Sequence, residues 1–470
     1  MLAAIIKGPT FSSAYAEIKQ AHLFADLFEL RIDTFSQWTV AEVANLRSSL
    51  VRPVIFTLRK KEAGGESLFK RNERIALIQK LLELKPDYFD IEADEGEEFF
   101  CTLKKQHPEV KLIASYHDFQ TMPQDLSSLL SSMPHKGVDL HKIAAHASSS
   151  LDGMRMLNFI KNASTPVIGI AMSERGQFSR ILSCVFGNAM VYGYAKKEGE
   201  EGQISLQDLV EIYRIRNLDQ NTKIYALLGG NVERSRSHLF HNAYFHDHGK
   251  NAVYVKISLG EHELATFLQM AKKLSFRGMS VTMPLKEKIL PHLDRVDVNA
   301  KKIGAVNTLY LDESHWVGLN VDGKGVLDAI EKKVSVKNKR LFVLGSGGFA
   351  RAILFEAIKR KAYVALISRN EKKREEFASY FHIPSYDLKE IDYILQQKGY
   401  DILINATPNG MKPEEEELFV HTFSPGSLIV EGVNNAETLL LKTAKERGVE
   451  CISGQELFRS QAYLQQQIWD

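Results

Sequence analysis

V-D-L-H-K-I-A, Val138 to Ala144, decides how the first half of the chain is read, because it sets a lysine inside a run that otherwise has the composition of a buried strand. With a side-chain period of two, Leu140 and Lys142 share one face. Taking an ammonium out of water costs several kcal/mol unless it is paired or gives up its proton, and a lysine whose pKa falls becomes an amine nucleophile. Lys142 is therefore the first candidate for chemistry. The alternative is a strand-end lysine that snorkels to solvent.

Outward from this strand, short apolar stretches alternate with polar or amphipathic stretches of helical length as far as residue 217. The expected strands are Leu2 to Ile6, Leu27 to Asp33, Val54 to Arg59, Tyr88 to Ala93, Lys111 to His117, Val138 to Ala145, Val167 to Met172 and Met190 to Tyr194. Helical pieces such as Glu73 to Leu84 and Leu151 to Asn162 fall between them. Repeated βα units of this kind predict an α/β chain that begins with a (β/α)8 barrel, a doubly wound sheet being the alternative. Most of the strands carry an ionisable residue near the C-terminal end. Glu29 and Arg31 lie two apart, Arg59 closes its strand, Asp90 and Glu92 share a face, as do Ser115 and His117, and Lys142 follows. In a parallel barrel these ends converge at one mouth, and so many buried charges would be costly as structure alone. His141 faces away from Lys142 and reads as a packing or supporting histidine. Lysine, histidine and glutamate at one mouth suit carbonyl chemistry: the lysine condenses with a ketone, the histidine moves protons, and the glutamate orients the imidazole. The arginines suit a substrate carboxylate.

At 470 residues the chain is too long for one ordinary domain, and with 44% hydrophobic and 25% charged residues each part can bury a core. A formal net charge of +2 gives no field to recruit nucleic acid or an anionic membrane. Cys101, Cys184 and Cys451 lie far apart without CxxC spacing, which suits neither a disulfide framework nor a zinc site and points to a reducing cytoplasm. The start, M-L-A-A-I-I-K, reads as a first strand, and no apolar run reaches the length of a membrane span. Composition leaves the oligomeric state open.

Between Leu206 and Thr222 there is no Pro/Gly/Ser-rich linker, only a last barrel helix and a short polar turn. From Ile224 a second α/β unit opens, assigned to residues 218–325, with strands at I-Y-A-L-L-G-G, Ala252 to Ser258 and M-S-V-T-M-P. A nucleotide signal follows in residues 326–470. L-F-V-L is a strand, G-S-G-G-F-A is a turn, and R-A-I-L-F-E-A-I-K-R starts a helix. Gly345, Ser346, Gly347, Gly348, Phe349 and Ala350 thus lie where a pyrophosphate meets backbone N–H groups at a helix N-terminus. The next strand ends in Ser368, Arg369 and Asn370, with no acid to read a ribose diol, and an arginine there suits a 2′-phosphate and so NADP(H). A glycine-rich start to a helix beside a surface arginine is the bland alternative. Lys286 and Asp322 sit in turns rather than on a solvated face, and hydride transfer to a ketone needs a proton donor such as this pair beside the oxygen.

In order, E-L-R-I-D, the arginine and double glycine of Arg59 to Gly65, F-D-I-E, S-Y-H-D-F, D-L-H-K-I-A, F-S-R-I and E-G-Q-I-S resemble type I 3-dehydroquinate dehydratase across residues 1–217. The resemblance implies Lys142 as Schiff-base lysine, His117 as general acid/base and Glu92 as its orienting partner, with Glu29, Arg31, Arg59, Arg180 and Gln203 as substrate contacts. S-R-S-H-L-F-H-N, G-M-S-V-T-M-P-L-K, I-G-A-V-N-T, G-L-N-V-D, G-S-G-G-F-A-R-A, I-N-A-T-P-N-G-M and G-Q-E-L-F-R-S-Q-A resemble shikimate dehydrogenase over residues 222–470. That likeness implies Ser235, Ser237, Thr282, Asn307, Asn320 and Gln461 as substrate contacts and Lys286 with Asp322 as the catalytic pair. It places Gly345, Gly347, Gly348, Arg369, Asn405 and Thr407 at the cofactor, and implies C-terminal helices that return to the substrate domain.

The chain departs from both patterns. The lid stretch usually written Ser-Ala-Pro-Gly-Gln is G-E-E-G-Q here, Gly199 to Gln203, so its serine is absent. In the second half the departures are Arg234 to His238, Val321 between Asn320 and Asp322, Ser368 to Asn370, and E-G-V-N-N from Glu431 to Asn435. The two likenesses join chemically, since the first reaction makes 3-dehydroshikimate from 3-dehydroquinate and the second reduces it with NADPH. The implied protein is a cytoplasmic bifunctional enzyme without a metal. An NAD-linked catabolic quinate or shikimate dehydrogenase fusion and a non-catalytic metabolite sensor are the other readings.

Overall fold

Eight parallel strands open the computed structural model, which describes residues 1–66, 69–195, 202–410, 422–434 and 437–470. They are β1 (Leu2–Ile6), β2 (Leu27–Arg31), β3 (Val54–Thr57), β4 (Tyr88–Glu92), β5 (Lys111–Asp118), β6 (Leu140–His146), β7 (Val167–Met172) and β8 (Val191–Tyr194). Their order, β7-β6-β5-β4-β3-β2-β1-β8, is a nearly closed barrel rather than a doubly wound sheet. At the seam between β7 and β8 a side chain replaces part of the ladder: the Gly169 amide donates to Asn188 Oδ1 at 2.8 Å, and Asn188 Nδ2 donates to the Met190 carbonyl at 2.7 Å. Two strands stop two residues short of the ends their sequence suggests. After β2 the chain tightens into a 3-10 turn at Ile32–Thr34, and β3 ends at Thr57, which leaves Arg59 on the loop beyond it.

The barrel interior follows from the period of two. Ala3, Leu27, Ile55, Tyr88, Ile113, Ile168 and Met190 pack into one apolar cluster, with Leu140 against it. Two residues further along the same strands come Glu29, Thr57, Asp90, Ser115, Lys142 and Tyr192. Apolar filling below and polar side chains above are what a barrel with a functional C-terminal mouth requires. The helices that hold this arrangement are capped by their own sequence. At Ser149 the hydroxyl accepts from the Asp152 amide, and the Asp152 side chain reaches back, so Ser150–Asn162 starts at a capping box.

By compactness the chain divides into Met1–Leu227 with Asn231–Phe276, and Leu228–Gly230 with Arg277–Asp470. In the first unit the barrel ends in the helix Leu206–Glu211 and a 3-10 turn at Ile215–Asn217, and β9 (Lys223–Gly229) begins almost at once. The helix Ser237–Asp247 and β10 (Ala252–Ser258) follow. The helix Leu264–Lys273 packs against the barrel helix Ser150–Asn162, and Lys161 Nζ donates to the Lys273 carbonyl at 2.8 Å.

In the second unit β11 (Phe276–Val281), β12 (Arg295–Val296), β13 (Thr308–Asp312) and β14 (His315–Leu319) lie in the order β11-β13-β14-β12. A parallel sheet then forms from β15 (Arg340–Leu344), β16 (Tyr363–Ile367), β17 (Ser385–Tyr386), β18 (Ile402–Asn405), β19 (Leu428–Glu431) and β20 (Glu450–Ile452). Its order, β17-β16-β15-β18-β19-β20, reverses direction beside β15, the switch point at which such sheets bind nucleotides. Leu341 and Val343 face one apolar layer while Phe342 and Leu344 face the other, so both faces are covered. The last helix, Gly454–Trp469, runs back to β13, where Trp469 Nε1 donates to the Leu309 carbonyl at 2.9 Å. Among the described residues no helix is long and apolar enough to cross a membrane.

Candidate functional site

Lys142 stands at the centre of the barrel mouth, 4% exposed, with Nζ 3.0 Å from Asp90 Oδ2, 3.2 Å from Glu29 Oε1 and 4.2 Å from the centre of the Tyr192 ring. Burial pushes this ammonium toward losing its proton, but Asp90 and then Glu29 outweigh it, and the pKa lies above the ordinary lysine value. Of the two outcomes the sequence leaves open, pairing or loss of the proton, the structure takes the first: two carboxylates hold Lys142 charged until a ligand changes their balance.

The other strand ends bring their groups to the same cavity, about 300 Å³, lined by Glu29, Arg31, Arg59, His117, Lys142, Arg180, Tyr192 and Gln203. Arg59 reaches Asp90 Oδ2 at 2.8 Å, Ser115 Oγ at 2.7 Å and Glu92 Oε1 at 3.4 Å. Only glycine fits at Gly65, where a Cβ would lie 2.1 Å from the Arg59 carbonyl oxygen. Arg31 is tied to Asp33 by two parallel bonds of 2.9 and 2.7 Å. His117 is half-buried beneath the Phe119 ring. Burial first, then Arg59 and Lys142, hold its pKa well below the ordinary histidine value, so its imidazole is neutral at pH 7.

Glu92 is directed elsewhere than the sequence implies. Its carboxylate takes the Lys60 amide at 3.0 Å, Arg59, and Arg74, and among the described residues His117 Nδ1 has no hydrogen-bond partner. Buried polar atoms without partners are costly unless a ligand or water completes them. His117 Nδ1, Asp90 Oδ1 and Arg180 Nε all belong to this class among the described residues. Arg180, whose NH1 donates to the Tyr192 carbonyl at 3.2 Å, has its pKa lowered to about 10 by burial, which fits a guanidinium without an anion among the described residues. Of the lid stretch, Gly202 and Gln203 are described, and Gly199 lies outside the described residues. Asp90 was placed at the mouth by the sequence but given no role, and Tyr192 was not among the residues expected there. The signal was present: each lies two residues beyond a member of the apolar layer. Arg74 carried none, since it reaches the mouth from the outer helix Arg71–Leu82.

In the second unit Lys286 Nζ lies 2.6 Å from Asp322 Oδ2, and Asn307 Nδ2 donates to Asp322 Oδ1 at 2.8 Å. Asn320 Oδ1 accepts from the Asp322 amide at 3.0 Å, while Asn307 Oδ1 accepts from the Val321 amide and the Thr308 hydroxyl. Asp322 and Asn307 are fully enclosed, whereas the Lys286 side chain keeps 16% of its surface. The carboxylate is therefore fixed and the ammonium is the member that can meet a ligand. Both residues stand on helices rather than in the expected turns, Lys286 in Leu285–Lys288 and Asp322 at the start of Asp322–Glu331; Thr282 follows β11, half-buried, and Gln461 packs its backbone over Gly325 from the last helix.

Lys286 also lines a cleft of about 470 Å³ with Gly345, Ser346, Gly347, Gly348, Phe349, Ser368, Arg369, Asn370 and Thr407. Gly347 caps the helix Gly348–Lys359 without a side chain, and a Cβ placed there would meet nothing within 4 Å. Gly345 takes φ +108°, a conformation open to glycine. Bare helix amides facing an open cradle suit a pyrophosphate, so the residues present fit a dinucleotide. Two expected cofactor residues stand behind the cleft wall. Ala350 is buried in the helix, and Asn405 supports Thr407 by accepting from its amide at 3.0 Å and its hydroxyl at 2.7 Å. Behind Asn405, the fully buried Glu431 accepts from Asn405 Nδ2, the Val433 amide and the Thr438 hydroxyl. Burial raises its carboxyl above the usual range. Met411 and Asn435 lie outside the described residues.

Ser235 and Ser237 belong to the first unit, at the start of the helix Ser237–Asp247, with their hydroxyls 3.0 Å apart. Lys256 Nζ steadies their loop through the Glu233 carbonyl at 2.7 Å, and His238 stacks on Tyr213 at 5.9 Å. His141 turns outward, its Nε2 2.8 Å from the Pro134 carbonyl.

The type I 3-dehydroquinase family matches residues 2–220, and the shikimate dehydrogenase substrate binding domain matches residues 227–309. The bifunctional 3-dehydroquinate dehydratase/shikimate dehydrogenase of Arabidopsis thaliana is 32% identical over 497 residues, covering 100% of this chain and 82% of that protein. The shikimate biosynthesis protein AroDE of Chlamydia pneumoniae is 31% identical over 477 residues, covering 100% and 95%. The shikimate dehydrogenase (NADP(+)) of Aquifex aeolicus is 32% identical over 256 residues, covering 54% of this chain and 93% of that one. A crystal structure of shikimate dehydrogenase from the same organism aligns with 53% of this chain and 92% of its own, at a TM-score of 0.50.

Proposed function

The chain belongs to the family of fused 3-dehydroquinate dehydratase/shikimate dehydrogenase proteins, and from that premise we propose which of its residues carry each reaction. It is a bifunctional enzyme of the shikimate pathway: a lyase that dehydrates 3-dehydroquinate and an NADP-dependent oxidoreductase that reduces 3-dehydroshikimate to shikimate.

Lys142 is proposed as the Schiff-base lysine. Its lone pair, once a proton has left the ammonium, attacks the substrate ketone, water departs, and the iminium makes the neighbouring C–H acidic. His117, neutral at pH 7, takes that proton and returns one to the departing hydroxyl. Arg180 is assigned to the substrate carboxylate, with Glu29, Arg31, Arg59 and Gln203 as further contacts. Glu92 acts on this reading through Arg59, which it holds. The observation that carries the assignment is a buried lysine beside a neutral histidine, in a cavity where His117, Asp90 and Arg180 each present an uncompleted polar atom among the described residues.

For the reduction, Lys286 donates the proton to the carbonyl oxygen and Asp322, fixed by Asn307 and Asn320, keeps the ammonium aimed. NADPH, when bound, supplies the hydride. Gly345, Ser346, Gly347, Gly348 and Phe349 would hold it at the helix start, Thr407 with Asn405 behind it would line its path, and Ser368 with Arg369 would meet a 2′-phosphate. Ser235, Ser237, Thr282 and Gln461 are proposed as substrate contacts on the resemblance. The proposed division of labour is residues 1–217 for dehydration, 218–325 for the second substrate and 326–470 for the cofactor. A cytoplasmic setting is supported by three free cysteines.

The test supplies purified protein with 3-dehydroquinate and NADPH alone. Shikimate forming together with NADPH oxidation is the expected outcome, and dehydroshikimate accumulating without NADPH oxidation would overturn the assignment of the second half.

A further inference from the structure

Tyr192 touches the reacting nitrogen and none of the roles above uses it. It lies on β8, 2% exposed, at the top of the apolar layer, and it serves two functional side chains at once. Its carbonyl receives Arg180, and its ring face lies 4.2 Å from Lys142 Nζ, on a nitrogen whose other neighbours are the carboxylates of Asp90 and Glu29. An aromatic face so placed attracts a cation.

What this does for the reaction follows from the charge on that nitrogen. An ammonium and a ketone give an iminium and water: the N–C bond forms, the C–O bond breaks, two ammonium protons leave with the oxygen, and the nitrogen is cationic before and after. It is neutral as the attacking amine, in the carbinolamine whose lone pair expels water, and in the enamine left when the neighbouring C–H proton is taken, and it is cationic in the iminium between the last two. The ammonium offers three N–H donors, enough to bind both carboxylates. The iminium keeps one, so it must give up a hydrogen bond to Asp90 or Glu29. Attraction to a ring face needs no N–H and survives the change. The face therefore favours the iminium relative to what the carboxylates alone provide.

We propose that Tyr192 is a further catalytic residue of the dehydratase barrel, its ring face stabilising the cationic nitrogen of Lys142 in the covalent intermediate. The inference rests on Lys142 being the Schiff-base lysine. The test compares the wild-type chain with Tyr192→Leu, which removes the face, and Tyr192→Phe, which keeps it. Each is treated with borohydride at saturating 3-dehydroquinate, and both the trapped fraction and the dehydration kcat are read. Tyr192→Leu should trap less adduct and lose roughly tenfold in kcat, and Tyr192→Phe should restore most of that loss. Reduction of added dehydroshikimate by untreated portions reports that the second half is folded, and urea unfolding followed through the barrel reports the first. If the leucine variant does not fold, phenylalanines with increasing ring fluorination at position 192 change the charge of the face at nearly constant volume, and the rate should fall in step with fluorination. Equal rates and equal trapping for leucine and phenylalanine, or rates indifferent to fluorination, would overturn the proposal. Absence of trapping in the wild-type chain would instead remove the role of Lys142 on which it rests.

Discussion

The two lysine–aspartate pairs proposed to carry the two reactions are built in opposite ways. In the barrel, Lys142 is 4% exposed and shared between Asp90 and Glu29, and its partner Asp90 is itself held by Arg59. In the second unit, Lys286 keeps an exposed edge at a cleft while Asp322 is enclosed and pinned by two asparagines. A lysine that must form a bond to carbon is sealed among charges that stabilise its cationic forms and keep water out. A lysine that need only pass a proton sits at the boundary, where exchange with solvent can reset it, and its geometry is guarded by the carboxylate instead. The same two residue types are thus suited to different chemistry by what surrounds them.

The sharpest way to break this comparison is to remove each lysine. Lys142→Ala should lower dehydration by roughly a thousandfold or more while reduction of dehydroshikimate continues, and Lys286→Ala should do the reverse, each read by a separate assay of the two steps. Loss of both activities in a folded variant would dissolve the two-site account. Next in size is the buried charge network. Asp90→Asn leaves Arg59 and Lys142 short of a carboxylate, and urea unfolding followed through the barrel should show a loss of about 3 kcal/mol. Asp322→Asn, with one cationic partner that already reaches solvent, should cost far less stability and act mainly on the reduction.

How much of this was legible in the sequence differs between the two regions for a physical reason. All eight barrel strands could be drawn from apolar alternation, because each has its own inward face. The lysine and histidine could be placed by counting in twos. Partners could not: Glu92 shares a face with Asp90, yet only the helix Arg71–Leu82 shows that Arg74 arrives to claim its carboxylate, and no spacing in the chain predicts a meeting across that distance. The charge state of Lys142 was left open for the same cause, since its two carboxylates come from other strands. In the second unit the glycine turn was legible as a local motif, whereas the chain of support from Glu431 through Asn405 to Thr407 spans separate strands and was not.

Smaller effects sharpen the comparison. Arg369→Ala should raise the KM for NADPH roughly tenfold and leave that for NADH nearly unchanged, measured in the reduction alone. In the barrel, His117 is held neutral to lower pH than a free imidazole. Dehydration should therefore keep its base below the ordinary histidine value of about 6.5 and show its acid limb under that pH. The sign for stability is opposite. The unfolded chain gains a proton near that value while folded His117 resists it, so this group's effect on stability is nil above it and becomes destabilising as pH falls below it. Reduction, to which His117 is not assigned, should not share that limb.

The most direct measurement is borohydride reduction in the presence of 3-dehydroquinate, followed by mass spectrometry of the peptides. The account predicts one ligand mass on the peptide that contains Lys142 and none on the peptide that contains Lys286. An adduct on Lys286, or none on Lys142 while dehydration proceeds, would contradict it.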